Sequence, residues 1–214
     1  MLRKEGDNDM KFLVLSSGPM AGPAPDFGLV EAGHQIVRCR DVGVSGFPCR
    51  GIETGDCPLD VGDVDAALFV GGVDPEIGNG IDEEGARCAL RRHVPLVMAG
   101  LGDDSPLTSW ASAVLVGVGV GDLVATLESA ARAPSAVHGS VASGAFAGVL
   151  EAHGFDVEIA EAIVVRTGGS LSVELRPTAE VAPEILEIAA IRVAGALRSF
   201  DPFARVIDVV LKPV

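Results

Sequence analysis

The sequence predicts an α/β protein: a five-stranded parallel sheet with helices on both faces, followed by a small α+β domain. Two observations predict the sheet. Apolar runs such as Phe12–Ser16, Ala66–Gly71 and Pro95–Ala99 are continuous, and segments long enough for a helix separate them. This pattern is typical of parallel strands that are buried on both faces. A third observation predicts the second domain, because the later strands alternate between apolar and polar residues.

The first domain is predicted to alternate strands and helices. The strands are predicted at Lys11–Ser16, Gln35–Arg40, Asp65–Gly71, Val94–Ala99 and Ala113–Val116, and the helices at about Asp26–Ala32, Asp82–Arg92 and Gly121–Arg132. Gly33 is well placed to end the first helix in a left-handed conformation. Glu83 and Glu84 are expected in the first turn of the second helix, where the helix dipole favours them. The irregular stretch Asp41–Gly62 is long for a connection, which predicts a functional loop or a folded excursion.

The segment Ala133-Pro134-Ser135 predicts a hinge, which gives domains of residues 10–133 and 134–214. The second domain is predicted to contain a helix at His138–His153, an extended segment at Phe155–Glu158, strands at Ile163–Arg166 and Leu171–Arg176, a helix at Thr178–Arg198 and a strand at Arg205–Lys212. Gly168 and Gly169 supply the positive φ angles that a tight hairpin turn requires.

Composition excludes several classes of partner. The chain has 16 basic and 30 acidic residues and a net charge of −14. Such a protein repels phosphate backbones and anionic lipid, so nucleic acids and membrane surfaces are not expected partners. No apolar run approaches the roughly 20 residues of a membrane span, and Met1–Asp9 lacks an apolar signal-peptide core. A cytoplasmic protein is expected.

Several short sequence segments of the first domain correspond to secondary-structure elements of one known family. EAGHQIVRC corresponds to the end of a first helix and a second strand, DVDAALFVGG to a third strand and RRHVPLVMAG to a fourth. SWASAVLVGVGVGDLVATLESA corresponds to a fifth strand and last helix. In order and spacing these phrases resemble the receiver domain of bacterial response regulators. The resemblance implies a flavodoxin/receiver-like fold over about 120 residues.

The resemblance also implies where a receiver's reacting groups would stand. The acidic pair that holds magnesium falls on Ser16 and Ser17, and the phosphoacceptor Asp on about Val70. The Ser or Thr after the fourth strand falls near Ala99, and the Lys after the fifth near Gly117. An acyl phosphate needs a carboxylate nucleophile, a divalent cation and a cationic partner. The resemblance therefore implies a pseudo-receiver that does not carry out phosphotransfer.

The carboxy-terminal phrase GGSLSVELRPTAEVAPEILEIAAIRVAGALRSFDPFARVIDVVLKPV is similar to the second half of alkaline-shock-type small domains. Such domains combine a strand, a long helix and a terminal Val-rich strand. The resemblance covers about 45 residues and implies an assembly or envelope-stress factor without enzymatic activity.

A ligand site is predicted at the carboxyl ends of the parallel strands, where such sheets bind ligands. Backbone N–H groups after the first strand could hold a phosphate, and paired glycines after the third permit a close approach. Aspartates after the third and fourth strands offer oxygen ligands for a divalent cation, although both also suit turns and caps. The candidate ligand-binding residues are Ser16, Ser17, Gly18, Gly72, Asp74 and Asp103.

The cysteines and histidines give no specific catalytic pattern. Cys49 and Cys57 share the irregular stretch and form a candidate disulfide or redox pair, whereas Cys39 and Cys88 are expected to be buried as small hydrophobic residues. Cys-x-x-Cys pairs are absent, so no metal site is predicted. The four histidines, His34, His93, His138 and His153, stand near element ends, where capping is common. No nucleophile motif such as Gly-x-Ser-x-Gly is present, so no catalytic residue is predicted.

These observations favour a cytoplasmic, non-catalytic regulatory or assembly protein without a cofactor, whose partner is another protein or itself. The helix predicted at Thr178–Arg198 has a broad apolar arc. A homodimer is therefore expected, through this helix or through the last helix of the first domain. Two alternatives remain open: a small-molecule-binding protein or enzyme that uses the carboxyl edge of the sheet, or a thiol-based sensor that uses Cys49 and Cys57.

Overall fold

The structure is a computed structural model that describes residues 9–16, 25–40, 49–71, 80–100, 105–116 and 119–212. The chain divides into two compact units, Met1–Ala131 and Arg132–Val214. Each unit has a sheet of its own and is described by itself.

The amino-terminal unit contains a five-stranded, all-parallel sheet. Its strands are β1 (Lys11–Ser16), β2 (Gln35–Val37), β3 (Ala66–Val70), β4 (Leu96–Ala99) and β5 (Ala113–Leu115). Their order is β2-β1-β3-β4-β5, which is flavodoxin-like. The predicted fold class is confirmed.

Helices cover both faces of this sheet. They are α1 (Pro25–Glu31), α2 (Arg50–Glu53), α3 (Gly80–Arg91) and α4 (Val120–Arg132). Successive residues of a strand point to opposite faces. Leu13 and Leu15 accordingly pack in the same core as Ala86 of α3. Phe12 packs in the opposite core with Leu127 of α4.

Local differences from the prediction concern the ends of elements. The strand predicted at Gln35–Arg40 ends at Val37. The helix expected from Asp82 begins at Gly80, so Glu83 lies at the end of its first turn and Glu84 lies beyond that turn. Gly33 has a φ of +85° after α1, and its predicted left-handed conformation is confirmed.

The carboxy-terminal unit is a three-stranded sheet with two long helices. The helices are α5 (Ala136–Ala152) and α6 (Pro183–Phe200), and the strands are β6 (Ala160–Thr167), β7 (Ser170–Pro177) and β8 (Val206–Leu211). Strand β7 is central, antiparallel to β6 and parallel to β8. Thr167 pairs with Ser170 across Gly168 and Gly169. Gly168 has a φ of +54°, whereas the positive φ expected for Gly169 is not observed. The predicted hairpin is confirmed, although its strands are longer than expected.

Both helices contribute to one core with the buried face of this sheet. Val164, Leu171 and Leu175 of the sheet pack with Phe146 of α5 and Val193 of α6, all less than 2% exposed. Alternation along β6 and β7 produces this face, because every second side chain points to the same side.

Two predictions in this unit are wrong. The extended segment expected at Phe155–Glu158 contains instead the start of a 3₁₀ turn at Val157–Ile159. The helix expected from Thr178 begins only at Pro183, because β7 runs to Pro177 and proline fits the first turn of a helix. Val181 is buried, but it precedes the helix.

Candidate functional site

The carboxyl ends of the central strands lie level with one another. Ser16 pairs with Val70, Val70 pairs with Ala99, and Ala99 pairs with Leu115. Val70 is 5% exposed and Ala99 is 8% exposed. None of these four strand-end residues carries a carboxylate or an ammonium group, so the strand ends themselves offer no charged group.

Most of the predicted ligand-binding residues lie outside the described part of the chain. This is so for Ser17, Gly18, Gly72, Asp74 and Asp103. Ser16 ends β1. Among the described residues, no three His, Cys, Asp or Glu side chains form a group suited to a metal ion.

A cleft of about 650 Å³ lies beside β2, the strand at one edge of the sheet. Arg38 and Arg40 follow the carboxyl end of β2 and line the cleft, and Arg50 of α2 lines it as well. A guanidinium group presents a planar fork of donors that matches carboxylate and phosphate oxygens. Three such groups on one cleft suit an anionic ligand.

The acidic residues of the cleft moderate its charge without cancelling it. Asp56 and Asp60 also line the cleft, and Asp60 accepts a hydrogen bond from Arg92. Arg38 binds both carboxylate oxygens of Asp26, each at 2.5 Å. Within the described residues, the guanidinium of Arg50 has no ion-pair partner and is exposed. Arg50 is therefore the cation of the cleft that is most available to a ligand.

The lining between these charges is partly apolar. Ile36 and Val37 of β2 and the loop residues Pro58 and Val61 contribute to it. A volume of several hundred Å³ with a few polar groups on apolar walls is typical of small-molecule sites. The cleft has the size and chemistry for a small organic anion.

Cysteines lie close to this cleft. Cys57 lines it, and Cys49 immediately precedes α2. A Cβ atom at Gly51 would lie 2.9 Å from Cβ of Cys57, so α2 packs closely against this loop. The backbone N–H of Arg50 donates to the carbonyl of Cys39 at 2.9 Å. The part of the irregular stretch that the structure describes, from Cys49 onwards, thus packs against the end of β2.

All four cysteines are free thiols. Burial, followed by the proximity of the Cys57, Cys49 and Cys88 thiols, raises the pKa of Cys39 to about 12. Burial also raises the pKa of Cys88 above its ordinary value, although this residue is exposed. The prediction that Cys88 is buried is wrong, because its position on α3 faces away from the sheet. A raised pKa disfavours the thiolate, which is the reactive form.

The histidines contact specific partners. Nε2 of His34 lies 3.0 Å from a carboxylate oxygen of Glu128 on α4. The ring of His153 bonds the carbonyl of Val149 at the end of α5. His138 is fully buried between Ser135 and Asp201. The sequence shows the Ser-x-x-His spacing but gives no sign of Asp201, 63 residues further on.

A comparison with protein-family models finds no matching family, and a comparison with curated proteins finds no match. The resemblances to receivers and to alkaline-shock-type domains therefore stay predictions. Among the described helices, none is both long and apolar enough to cross a membrane.

Proposed function

We propose that the protein is a cytoplasmic regulatory protein whose amino-terminal unit binds a small organic anion and does not carry out phosphotransfer. The observation that carries this proposal is the convergence of Arg38, Arg40 and Arg50 on one cleft. The chain as a whole has a net charge of −14. A cluster of cations in such a chain opposes the overall field, and it favours a ligand with phosphate or carboxylate groups.

The residues at the strand ends support the proposal that this unit does not carry out phosphotransfer. The residues level with one another at the carboxyl edge are Ser16, Val70 and Ala99. A receiver needs a carboxylate nucleophile at the end of the third strand, and Val70 offers only a buried isopropyl group. Regulation through ligand binding is the function that this unit supports best.

Titration calorimetry tests the anion site, with a panel of mononucleotides and dicarboxylates at millimolar concentration. At least one of them is expected to bind, with an affinity that falls as salt is added. Arg50→Ala should weaken binding by about 10- to 100-fold, because a hydrogen bond to a charged group contributes about 1.5–3 kcal/mol. Arg87→Ala is the matched control, since Arg87 pairs with Glu83 and Glu84 on α3 instead. The absence of binding by every compound would refute the site.

We also propose that the protein forms a homodimer through α6. Ile191 is 73% exposed and Ile188 is 44% exposed, and their spacing of three residues places them on one face of the helix. Ala189, Val193 and Leu197 on the opposite side are fully buried in the unit's own core. A second copy of the chain, meeting the same face, would cover the exposed isoleucines.

A further inference from the structure

A serine, a histidine and an aspartate form one hydrogen-bonded chain in the carboxy-terminal unit. Oγ of Ser135 lies 2.7 Å from Nδ1 of His138, and Nε2 of the same ring lies 3.2 Å from Oδ2 of Asp201. His138 and Asp201 are fully buried, whereas Ser135 is half-buried. Ser135 is therefore the member of the chain that is partly exposed to solvent.

The surroundings of the carboxylate set the direction of the hydrogen bonds. Oδ1 of Asp201 accepts the backbone N–H of Phe203 at 3.0 Å, and Nε of Arg166 lies 4.0 Å from Oδ2. Arg166 is 4% exposed, and its positive charge favours the ionised form of Asp201. An ionised carboxylate only accepts hydrogen bonds, so Nε2 of His138 donates, and in the neutral ring Nδ1 accepts. Ser135 then donates its proton to Nδ1.

This arrangement has the chemistry of an activated nucleophile. A hydroxyl is a weak nucleophile until a base takes its proton, and a carboxylate on the far side of the imidazole stabilises the charge that results. Proton transfer of this kind needs one accepting and one donating ring nitrogen, which the neutral ring of His138 supplies towards Ser135 and Asp201.

The position of Ser135 adds hydrogen-bond donors. Ser135 is the residue before α5, yet its hydroxyl does not cap the helix and is turned to His138 instead. Within the described part of the chain, the N–H groups of Ala136 and Val137 in the first turn have no hydrogen-bond partner. Donors at a helix N-terminus stabilise a developing oxyanion.

The groups are held in place before any substrate arrives. The N–H of Ser135 donates to the carbonyl of Val164 at 2.7 Å, which fixes the serine to β6. The rings of His138 and Phe200 form a T-shaped pair, with ring centroids 5.4 Å apart. Asp201 directly follows α6, so the hydrogen bonds of Ser135, His138 and Asp201 connect β6, α5 and the end of α6. Such rigidity is what a catalytic hydrogen-bond chain requires.

We propose that Ser135 is a nucleophile for acyl transfer from carboxylic esters with short acyl groups, with His138 as its general base and Asp201 as a positioning residue. The neighbours of Ser135 that face solvent, Pro134, Ala136 and Val137, are small or apolar, which suits a short acyl chain. The site belongs to the carboxy-terminal unit, so it is independent of the anion cleft.

The reaction balances with water as the co-reactant. Oγ of Ser135 bonds to the carbonyl carbon while its proton passes to Nδ1 of His138. The ester C–O bond then breaks, and the alcohol leaves with that proton. Water gives a proton to Nδ1 and bonds to the acyl carbon, the bond to Oγ breaks, and the serine regains its proton.

Labelling of the full chain with a fluorophosphonate probe tests the proposal, followed by intact-mass measurement and peptide mapping. We expect one adduct, on Ser135, in the folded protein and none after heat denaturation. Ser135→Ala should abolish the adduct. Ser140→Ala should retain it, because Ser140 is an exposed serine on the same helix. The wild type should also hydrolyse p-nitrophenyl acetate with a burst.

A second set of variants separates catalysis from structure. In Asp201→Asn, the rate constant of labelling should fall about 10²- to 10⁴-fold, because the general base His138 loses the carboxylate that orients it and stabilises its charge. If circular dichroism shows that Asp201→Asn is unfolded, the labelling rate is measured on His138→Gln in its place. Three results would overturn the proposal: no adduct on folded wild type, an adduct elsewhere, or a Ser135 adduct whose rate is unchanged in the folded variant.

Discussion

The imidazole of His34 joins Met10, the residue before β1, to α4 of the same unit. Its Nε2 lies 3.0 Å from Oε1 of Glu128 on α4, and its Nδ1 accepts the N–H of Met10 at 3.4 Å. Because Nδ1 accepts, Nε2 carries the proton and donates to the carboxylate. The side chain of His34 is fully buried, so both bonds matter for stability.

Glu128→Ala should therefore lower the free energy of unfolding by about 1–3 kcal/mol, the usual cost of leaving a buried donor without its partner. Urea denaturation followed by circular dichroism measures this change. Glu53→Ala is the matched control, because Glu53 is exposed on α2. A loss of stability no larger than that of the control would contradict the structural role of His34.

Alkylation of native protein should label Cys39 last. Its pKa of about 12 lowers the thiolate fraction at neutral pH by about a thousandfold relative to an ordinary thiol. Cys49 and Cys57 are predicted to react before it, and mass spectrometry of peptides sampled over time gives the order. Labelling of Cys39 at the rate of Cys57 would show that the end of β2 is not packed as described.

The same thiol predicts a fall in stability at alkaline pH. The folded-state pKa of Cys39 lies above its ordinary value of 9. The contribution of this thiol to the free energy of unfolding is therefore fully present below pH 9. Above pH 9 the unfolded chain loses this proton first, and stability declines until the pH reaches about 12. Cys39→Ser should flatten the decline by less than about 1.4 kcal/mol per pH unit. Cys49→Ser serves as the control, and an equal decline in both variants would count against this assignment.

Acetyl phosphate and magnesium should add no phosphoryl group to the chain. Val70 cannot act as a nucleophile, and Ser16 is a neutral replacement for a carboxylate that would hold the cation. The groups that carry out phosphotransfer act as a unit, so replacing a single missing group should not restore the activity. Intact-mass measurement after incubation gives the answer. A stoichiometric adduct that disappears in Asp74→Asn would mean that a shifted aspartate accepts the phosphate.

Light scattering at micromolar concentration should give twice the mass of the chain. Ile191→Asp should then yield a monomer, because a buried charge at the centre of an interface is strongly unfavourable. Arg192→Asp introduces the same acidic side chain at the neighbouring exposed position, and it serves as a control for the effect of added negative charge. A wild-type monomer would refute the dimer.

Periodicity of the sequence predicted most of the fold. The apolar runs around Leu13, Leu68 and Val97 are buried on both faces, and this is what continuous patterns indicate. The ends of elements were less well predicted. Thr178 looked helical because helix propensity ignores the tertiary pairing that extends β7 to Pro177. Cys88 looked buried because its residue type is commonly inside, although its helical position faces solvent.

The candidate sites depend on contacts that a local pattern does not contain. Arg38 and Arg50 line the same cleft because α2, which begins at Arg50, lies beside the end of β2, where the N–H of Arg50 donates to the carbonyl of Cys39. Ser135 and His138 are neighbours in the sequence, but only the packing of α6 brings Asp201 to the ring. Neither association has a spacing signature, so neither could be read from residue types alone.

The pairing of β8 with β7 has a consequence for the order of folding. The hairpin of β6 and β7 closes across two glycines, and hairpins of this kind form within microseconds. Ser170 can pair with Val206 only after the whole of α6 has been placed, so a long loop must close first. We expect the outer edge of β7 to stay open while this happens. An unpaired strand edge is a template for pairing with another chain. Concentrated refolding should therefore favour aggregates that dilution prevents.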